Sequence, residues 1–330
     1  MTDVPGGTAV RGRRAVGVPE LVAGARDGDA RSVARLISLV EDGGPAVREV
    51  AAALAPHAGR AHVVGLTGPP GVGKSTTTTA LVRAHRRAGR RVGVLAVDPS
   101  SPFSGGALLG DRVRMGDHAG DPGVYIRSMA TRGHLGGLAW GTPQALRVLD
   151  AAGCDVVLVE TVGVGQSELE IASLADTTLV LLAPGMGDGV QAAKAGILEV
   201  ADVLVVNQAD RDGADRTVRD LRAMTALGGR GDGAWRPPIC ATVAVREADN
   251  GIDVVLEATA AHRRWLDASG EGHRRRTGRA AREIEAIALT GLRERMAAVR
   301  GSAALHALAQ RVAAGATDPF SAADALLAQV

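Results

Sequence analysis

The chain has 330 residues and a formal net charge of +2, with 46% hydrophobic and only 2% aromatic residues. This length can bury a full α/β core and leave residues for peripheral helices. Scattered arginines and scarce aromatic residues argue against a stacking platform or a basic groove for nucleic acid. Cys154 and Cys240 are the only two cysteines, which argues against a disulfide scaffold and fits a reducing compartment.

The amino-terminal part of the chain is expected to be helical and to carry no targeting segment. Residues 1–14 lack an apolar signal core, and no apolar run is long enough to cross a bilayer. We therefore predict a cytoplasmic protein that does not contact a membrane. Residues 19–57 show apolar positions at steps of three and four, which predicts helices. They form a predicted amino-terminal helical extension, residues 1–58.

The middle of the chain, residues 59–268, alternates short β-branched runs with helical segments. The runs begin at His62, Arg91, Val124, Asp155, Thr177, Asp202 and Pro237. Strands that are apolar on both faces and separated by helices indicate a mostly parallel sheet flanked by helices. The predicted fold class is therefore α/β.

The carboxyl-terminal part contains no strand pattern. Residues 252–267, 279–299, 303–314 and 320–329 are predicted to be helices, separated by glycines. The arginine-rich cluster at residues 273–279 is predicted to be a solvated turn before a helix. A third region, residues 269–330, is thus a helical arm that must pack on the core or on a second subunit.

A glycine-rich segment after the first predicted strand carries the main chemical signal. GPPGVGKS, residues 68–75, matches GxxxxGK[ST] between a strand and a helix, which predicts a phosphate-binding loop of a P-loop NTPase. We expect Lys74 to reach the β- and γ-phosphates and Ser75 to bind Mg²⁺. The alternative is an ordinary glycine-rich turn. The predicted nucleotide-binding residues here are Gly68, Pro69, Pro70, Gly71, Val72, Gly73, Lys74, Ser75 and Thr76.

Acidic residues follow two other predicted strands. Asp98 and Glu160 fall at the carboxyl edge of the sheet, where ligands bind in open α/β folds. Glu160 precedes Gly163 in an acidic-x-x-Gly element, in which the acid supports Mg²⁺ and the glycine amide meets the γ-phosphate. Asp111 either completes the metal site or belongs to its loop alone. Gln166 either positions the attacking water or is a structural switch residue.

These assignments define two overlapping sets. The predicted catalytic residues are Lys74, Glu160, Gly163 and Gln166, and the predicted metal ligands are Ser75, Asp98, Asp111 and Glu160.

The segment NQAD, residues 207–210, follows a predicted strand and compares with the NKxD element of GTPases. The Asp210 carboxylate would accept the guanine N1–H and 2-amino hydrogens, which adenine does not offer. Asn207 would tie this loop to the phosphate loop. Gln208 stands where a lysine stem usually covers the base, and Val243 stands where the next loop often carries serine. We predict that GTP and GDP bind here.

Several long segments resemble MeaB-type and ArgK-type P-loop GTPases, which are chaperones of adenosylcobalamin-dependent acyl-CoA mutases. They are residues 68–76, 94–115, 128–138, 160–168, 184–202 and 206–210. The resemblance implies a GTPase core and a carboxyl-terminal helical arm that forms a homodimer. It also implies that GTP binding and slow hydrolysis gate the loading of adenosylcobalamin into a mutase, such as methylmalonyl-CoA mutase, and protect or reactivate that enzyme.

The resemblance also assigns individual positions. Asp98, Asp111 and Glu160 match the magnesium-site acids of the family. Residues 184–198 match a mobile switch that communicates with the mutase, and Gln191 and Lys194 fall on matching positions there.

Two other functions use a similar core. A GTPase metallochaperone needs local Cys or His ligands, and this chain has no CxxC element and no histidine run. A P-loop kinase that uses ATP would not need Asp210 to recognise guanine. Two isolated histidines, His118 and His262, have no clustered ligands nearby in sequence and are predicted to lie on the surface.

Overall fold

The computed structural model describes residues 16–98, 118, 120–130, 141–161, 167–185, 198–227, 233–299 and 301–328. The chain forms two compact units, Met1–Ser269 and Gly270–Val330. Each unit is described by itself below.

The first unit begins with three helices, as the apolar spacing predicts. They are α1 (Val18–Arg26), α2 (Ala30–Asp42) and α3 (Ala46–Leu54). Asp29 caps α2 by accepting a 2.9 Å hydrogen bond from the Ser32 backbone N–H, which satisfies a free donor of the first turn. Apolar residues of all three helices share a buried cluster with residues of the sheet, so this helical segment packs on the core.

One parallel sheet of seven strands organises the described part of the first unit. The strands are β1 (His62–Thr67), β2 (Val92–Asp98), β3 (Val124–Ala130), β4 (Val156–Thr161), β5 (Thr177–Leu182), β6 (Val203–Val206) and β7 (Ile239–Ala241). Their order is β3-β2-β4-β1-β5-β6-β7, and every pairing between neighbours is parallel. The α/β prediction is confirmed.

Helices cover both faces of the sheet. They are α4 (Lys74–Arg87), α5 (Thr142–Ala151), α6 (Ser167–Leu174), α7 (Ala214–Leu227) and α8 (Ile252–Ser269). Successive residues of a strand point to opposite faces, and β4 shows the result directly. Val157 and Val159 join the cluster that includes α1, α2 and α5, whereas Val156 and Leu158 join the cluster that includes α4 and α8.

The strand order brings the candidate segments to one edge. β1 lies between β4 and β5, and β6 follows β5. Because all these strands are parallel, the loops that follow β1, β4 and β6 leave the sheet at the same carboxyl edge. Ligands bind at this edge in open α/β sheets, so the topology places the phosphate motif and the NQAD segment on a common side.

The prediction that His118 and His262 lie on the surface is wrong, since both are buried. His262, on α8, has its Nδ1 2.8 Å from Thr177 Oγ1, and its Nε2 lies 3.3 Å from Asp202 Oδ1. A buried imidazole is tolerated where its nitrogens have polar partners. Thr177 is the first residue of β5 and Asp202 directly precedes β6, so the histidine helps to hold α8 on the sheet.

The second unit is helical. It contains α9 (Glu271–Val299), α10 (Ala303–Ala313) and α11 (Pro319–Leu327). The predicted turn at 273–279 is wrong, because these residues lie within α9. Glu271 in the first turn accepts hydrogen bonds from Arg274 at 2.7 Å and from Arg275 at 3.1 Å, and such pairs support a helix start with a carboxylate at its amino end.

No helix within the described residues combines the length and the apolar character needed to cross a bilayer.

Candidate functional site

The loop between β1 and α4 is held by close backbone approaches. Gly68 has a φ of +141°, and a Cβ there would lie 2.2 Å from the carbonyl oxygen of Leu181 on β5. Gly73 has a φ of +89°, and a Cβ there would lie 2.5 Å from Asn207 Nδ2. Only glycine fits such positions without displacing a neighbour. The loop therefore has the bare backbone that a phosphate cradle requires.

Lys74 is the first residue of α4, and its side chain folds back over the loop. Its Nζ donates hydrogen bonds to the carbonyl oxygens of Gly68 at 2.7 Å and Pro69 at 3.1 Å. The residue is only 9% exposed. A lysine cation and the amino end of a helix thus meet at this loop, and both favour a bound anion. Ser75 follows on the same turn and is partly buried.

Glu160 lies beside the phosphate loop on β4. Its backbone pairs in register with Leu66, near the end of β1, and the residue is 3% exposed. The Thr78 hydroxyl, on the second turn of α4, lies within hydrogen-bonding distance of Glu160 Oε2 and 3.1 Å from the Lys74 carbonyl oxygen, and its single proton can be donated to either acceptor. Thr78 therefore orients the Glu160 carboxylate beneath α4.

The other predicted acids cannot be placed as fully. Asp98 ends β2 and pairs with Ala130, but its side chain is outside the described residues. Asp111, Gly163 and Gln166 also lie outside them. Within the described ranges, no group of three or more His, Cys, Asp and Glu side chains is arranged to hold a metal ion. The magnesium site stays a prediction, in which Ser75 and Glu160 are the members whose surroundings are known.

Asn207 joins the base loop to the phosphate loop. Its Nδ2 donates to the Val72 carbonyl oxygen at 2.8 Å. Its Oδ1 accepts from Thr242 Oγ1 and from the Ala244 backbone N–H, both at 3.1 Å. The residue is 3% exposed, so one buried amide links three chain segments and is satisfied at each end.

The remaining residues of NQAD lie at the same carboxyl edge of the sheet. Gln208 has a φ of +57°, and its Nε2 donates to the Gly71 carbonyl oxygen at 3.1 Å. Asp210 is partly exposed, and its Oδ2 lies 3.6 Å from Nη2 of Arg246. The predicted base contact Val243 is buried, and its backbone N–H donates to the Asn250 carbonyl oxygen at 2.9 Å.

The sequence matches one family model along most of the chain. The model for "Methylmalonyl Co-A mutase-associated GTPase MeaB" matches residues 33–300. The chain belongs to the MeaB family. The family resemblance predicted from the motifs is confirmed.

Individual relatives agree with this membership. A Pyrococcus abyssi protein is 45% identical over 95% of this chain and 97% of its own length. The GTPase ArgK of Escherichia coli is 38% identical over 74% of this chain and 76% of its own length. The crystal structure of a LAO/AO transport system kinase superposes with a TM-score of 0.68 at 26% identity, covering 95% of this chain and 98% of that one. This MeaB-family chain is therefore a P-loop GTPase.

Three site residues of this MeaB-family chain were not identified from the sequence. Thr78 follows Lys74 by one helical turn, so its inward position could have been inferred from helical spacing. Thr242 is the single hydroxyl residue of the apolar segment ATVAV, which was a weak signal. Arg246 meets Asp210 only through the tertiary structure, and nothing in its local sequence marks it.

Proposed function

We propose that this GTPase binds GTP with Mg²⁺, hydrolyses it slowly, and uses the bound nucleotide to gate adenosylcobalamin loading into an acyl-CoA mutase. In the same role it would protect or reactivate that mutase. The description of the matching family names methylmalonyl-CoA mutase, which supports a mutase partner. The observation that carries the nucleotide assignment is the Asn207 amide, which joins the phosphate loop to the base loop.

The described residues fit this substrate. Because Gly68 and Gly73 carry no side chain, the loop can lie close to Leu181 and Asn207, and its backbone N–H groups would face the phosphate oxygens. Lys74 would neutralise charge on those oxygens. Ser75 and Glu160 would hold Mg²⁺, with Glu160 acting through a water and kept in place by Thr78. When bound, GTP would supply the phosphoryl group and Mg²⁺ would supply positive charge next to the phosphate oxygens.

Base choice rests on Asp210. Its carboxylate accepts hydrogen bonds, and guanine presents two donors at N1 and N2. ATP would leave the carboxylate without those partners, which lowers its affinity. Asn207 anchors the start of this loop, and Asp210 follows three residues later.

The deciding measurement is a calorimetric titration of nucleotide-free protein with GDP, GTP and ATP in Mg²⁺. We expect guanine nucleotides to bind at least about tenfold more tightly than ATP, a difference of about 1.4 kcal/mol. Removing Mg²⁺ with a chelator should weaken GTP binding. Equal affinity for ATP and GTP would contradict the guanine assignment.

The mutase role needs its own experiment. Purified adenosylcobalamin-dependent methylmalonyl-CoA mutase should raise the GTP hydrolysis rate, because a partner that orders the site lowers the barrier. The Lys74→Ala variant with the same mutase is the control for contaminating hydrolysis. If this mutase has no effect on the rate and does not bind the protein, isobutyryl-CoA and related acyl-CoA mutases are the next partners to test.

A homodimer is also part of the proposal. On α9, four large apolar side chains are between 43% and 67% exposed: Ile284, Ile287, Leu289 and Leu292. Exposed apolar side chains at this density favour burial against another surface. Sedimentation equilibrium of the full chain measures the mass directly, and a monomer at all concentrations would contradict the dimer.

The alternatives are less well supported. For a metallochaperone, the thiols are poor ligands, because burial raises the pKa of Cys154 to about 12 and that of Cys240 to about 11, and metals bind thiolates. Titration with Ni²⁺, Co²⁺ and Zn²⁺ would test the metallochaperone function.

A P-loop kinase is the second alternative. The superposed crystal structure is described as a kinase, and that description applies to the other protein. Transfer of labelled phosphate from ATP to an added protein would support a kinase function for this chain.

Both cysteines are free thiols, which fits the cytoplasmic location that we propose.

A further inference from the structure

Asp210, the residue that would read guanine, lies beside an arginine that the guanine motif does not contain. Nη2 of Arg246 is 3.6 Å from Asp210 Oδ2. The two side chains are 53% and 43% exposed, so the pair sits at the open edge of the site. Arg246 belongs to the loop after β7, and Asp210 belongs to the loop after β6.

The backbone of Arg246 is fixed by its own turn. Its N–H donates to the Val243 carbonyl oxygen at 2.9 Å, and its carbonyl oxygen accepts from Asn250 Nδ2 at 2.9 Å. The same turn is joined to the base loop, because the Ala244 N–H donates to Asn207 Oδ1. Arg246 is therefore presented to Asp210 by a segment already attached to the nucleotide site.

The neighbouring Gln208 brings no positive charge to the base loop. The usual residue there is a lysine, whereas the Gln208 amide is neutral and is directed to the Gly71 carbonyl oxygen. Arg246 brings a cation to Asp210 from the adjacent loop. A guanidinium stays charged at all relevant pH values and can also stack on a planar ring.

We propose that Arg246 is a positioning residue for guanine recognition, which holds the ionised Asp210 carboxylate in the orientation that accepts the base. The proposal rests on the proposed function, since it assumes that Asp210 reads guanine. An ionised carboxylate has two oxygens and about four lone-pair sites. Asp210 can therefore remain paired with Arg246 at Oδ2 while it accepts the N1–H and 2-amino hydrogens of guanine.

The test compares GDP with IDP, because inosine lacks the 2-amino group and makes one fewer hydrogen bond to Asp210. Full-length wild type, Arg246→Ala and Arg246→Lys are titrated with both nucleotides. We expect Arg246→Ala to weaken GDP binding about two- to fivefold, the range of a partly exposed ion pair. IDP binding should weaken less, so the ratio of GDP affinity to IDP affinity falls toward one. Arg246→Lys should recover part of the wild-type ratio. Added salt should reduce the difference between wild type and Arg246→Ala.

A matched control removes a different exposed arginine pair. Arg264 on α8 pairs with Glu257 at 2.7 Å, and Arg264→Ala should leave the GDP to IDP ratio at the wild-type value. An unchanged ratio in Arg246→Ala would overturn the proposal. Tighter GDP binding by Arg246→Ala would also overturn it, since the arginine would then compete with guanine for Asp210.

The wild type separates the two levels of inference. If it binds ADP as tightly as GDP, the guanine assignment fails and the role of Arg246 fails with it. If it prefers GDP to ADP but the Arg246 variants keep the wild-type GDP to IDP ratio, only the role of Arg246 fails.

Discussion

The phosphate loop and the base loop lie at the same edge of the sheet but are built on different principles. In the phosphate loop we expect the backbone to recognise the ligand, and a single added Cβ at Gly68 would meet a carbonyl oxygen at 2.2 Å. In the base loop we expect side chains to recognise the base, and Gln208 in this loop and Val243 in the next loop depart from the common pattern. Backbone geometry leaves few acceptable residues, whereas a side-chain role can be transferred to a neighbour.

Burial marks the same division within the base loop itself. Asn207 is buried and bonded to two other segments, and it is the residue that the motif expects at this position. Gln208 and Asp210 lie at the open edge, where a partner such as Arg246 can approach from another loop. Within NQAD the departure from the common motif is at Gln208, where a lost interaction leaves no buried polar group unpaired.

The largest expected effect is that of Lys74→Ala on nucleotide affinity. Lys74 is a buried cation at the phosphate loop, and truncating a buried charged partner weakens binding by about 100-fold or more. Titration calorimetry with GTP in Mg²⁺ measures the loss. Lys74→Met keeps most of the aliphatic stem and should lose affinity equally, because the charge is what matters. Wild-type affinity in either variant would refute the phosphate-loop assignment.

Asp210→Asn should change which base is bound. An amide can donate a hydrogen bond where the carboxylate accepted one, so GTP affinity should fall by about tenfold or more. Xanthosine triphosphate, which offers an acceptor at that position, should bind better than it does to the wild type. Competition titrations with both nucleotides measure the exchange. Base preference identical to that of the wild type would remove Asp210 from the site.

Gly68→Ala tests the backbone half of the comparison. The new Cβ would collide with the Leu181 carbonyl oxygen, and such overpacking lowers the free energy of unfolding by about 1–3 kcal/mol. Gly89→Ala is the matched control, because Gly89 also has a positive φ, of +73°, but no atom within 4 Å of the added Cβ. It should lose about 1 kcal/mol through its backbone conformation alone. Equal losses in urea unfolding would show that the close approach at Gly68 does not matter.

These contrasts also explain what could be predicted from the sequence. The strands were found because buried parallel strands must be apolar on both faces, and the phosphate loop was found because its geometry demands glycine at positions such as Gly73. The start of α9 was missed, since Glu271 turns an arginine cluster into helix-stabilising pairs. Burial of His262 depends on Thr177 and Asp202, which are far away in the chain. Arg246 was missed for the same reason.

The smallest expected effect is that of Gln208→Ala. The variant removes the hydrogen bond to the Gly71 carbonyl oxygen, and a bond at an exposed position contributes only about 0.5–1.5 kcal/mol net. Alanine keeps the Cβ, so the backbone strain at a φ of +57° is nearly the same in both proteins. GDP affinity should fall about threefold, as measured by calorimetry.

Gln208→Lys in the Arg246→Ala background then sharpens the comparison. The lysine restores a cation to the base loop from the usual position, so it should recover the GDP affinity that Arg246→Ala loses. Recovery would show that the charge matters more than the residue that carries it. If the double variant binds GDP no better than Arg246→Ala, a cation at position 208 does not replace Arg246. The role of Gln208 would then be limited to its hydrogen bond with the Gly71 carbonyl oxygen.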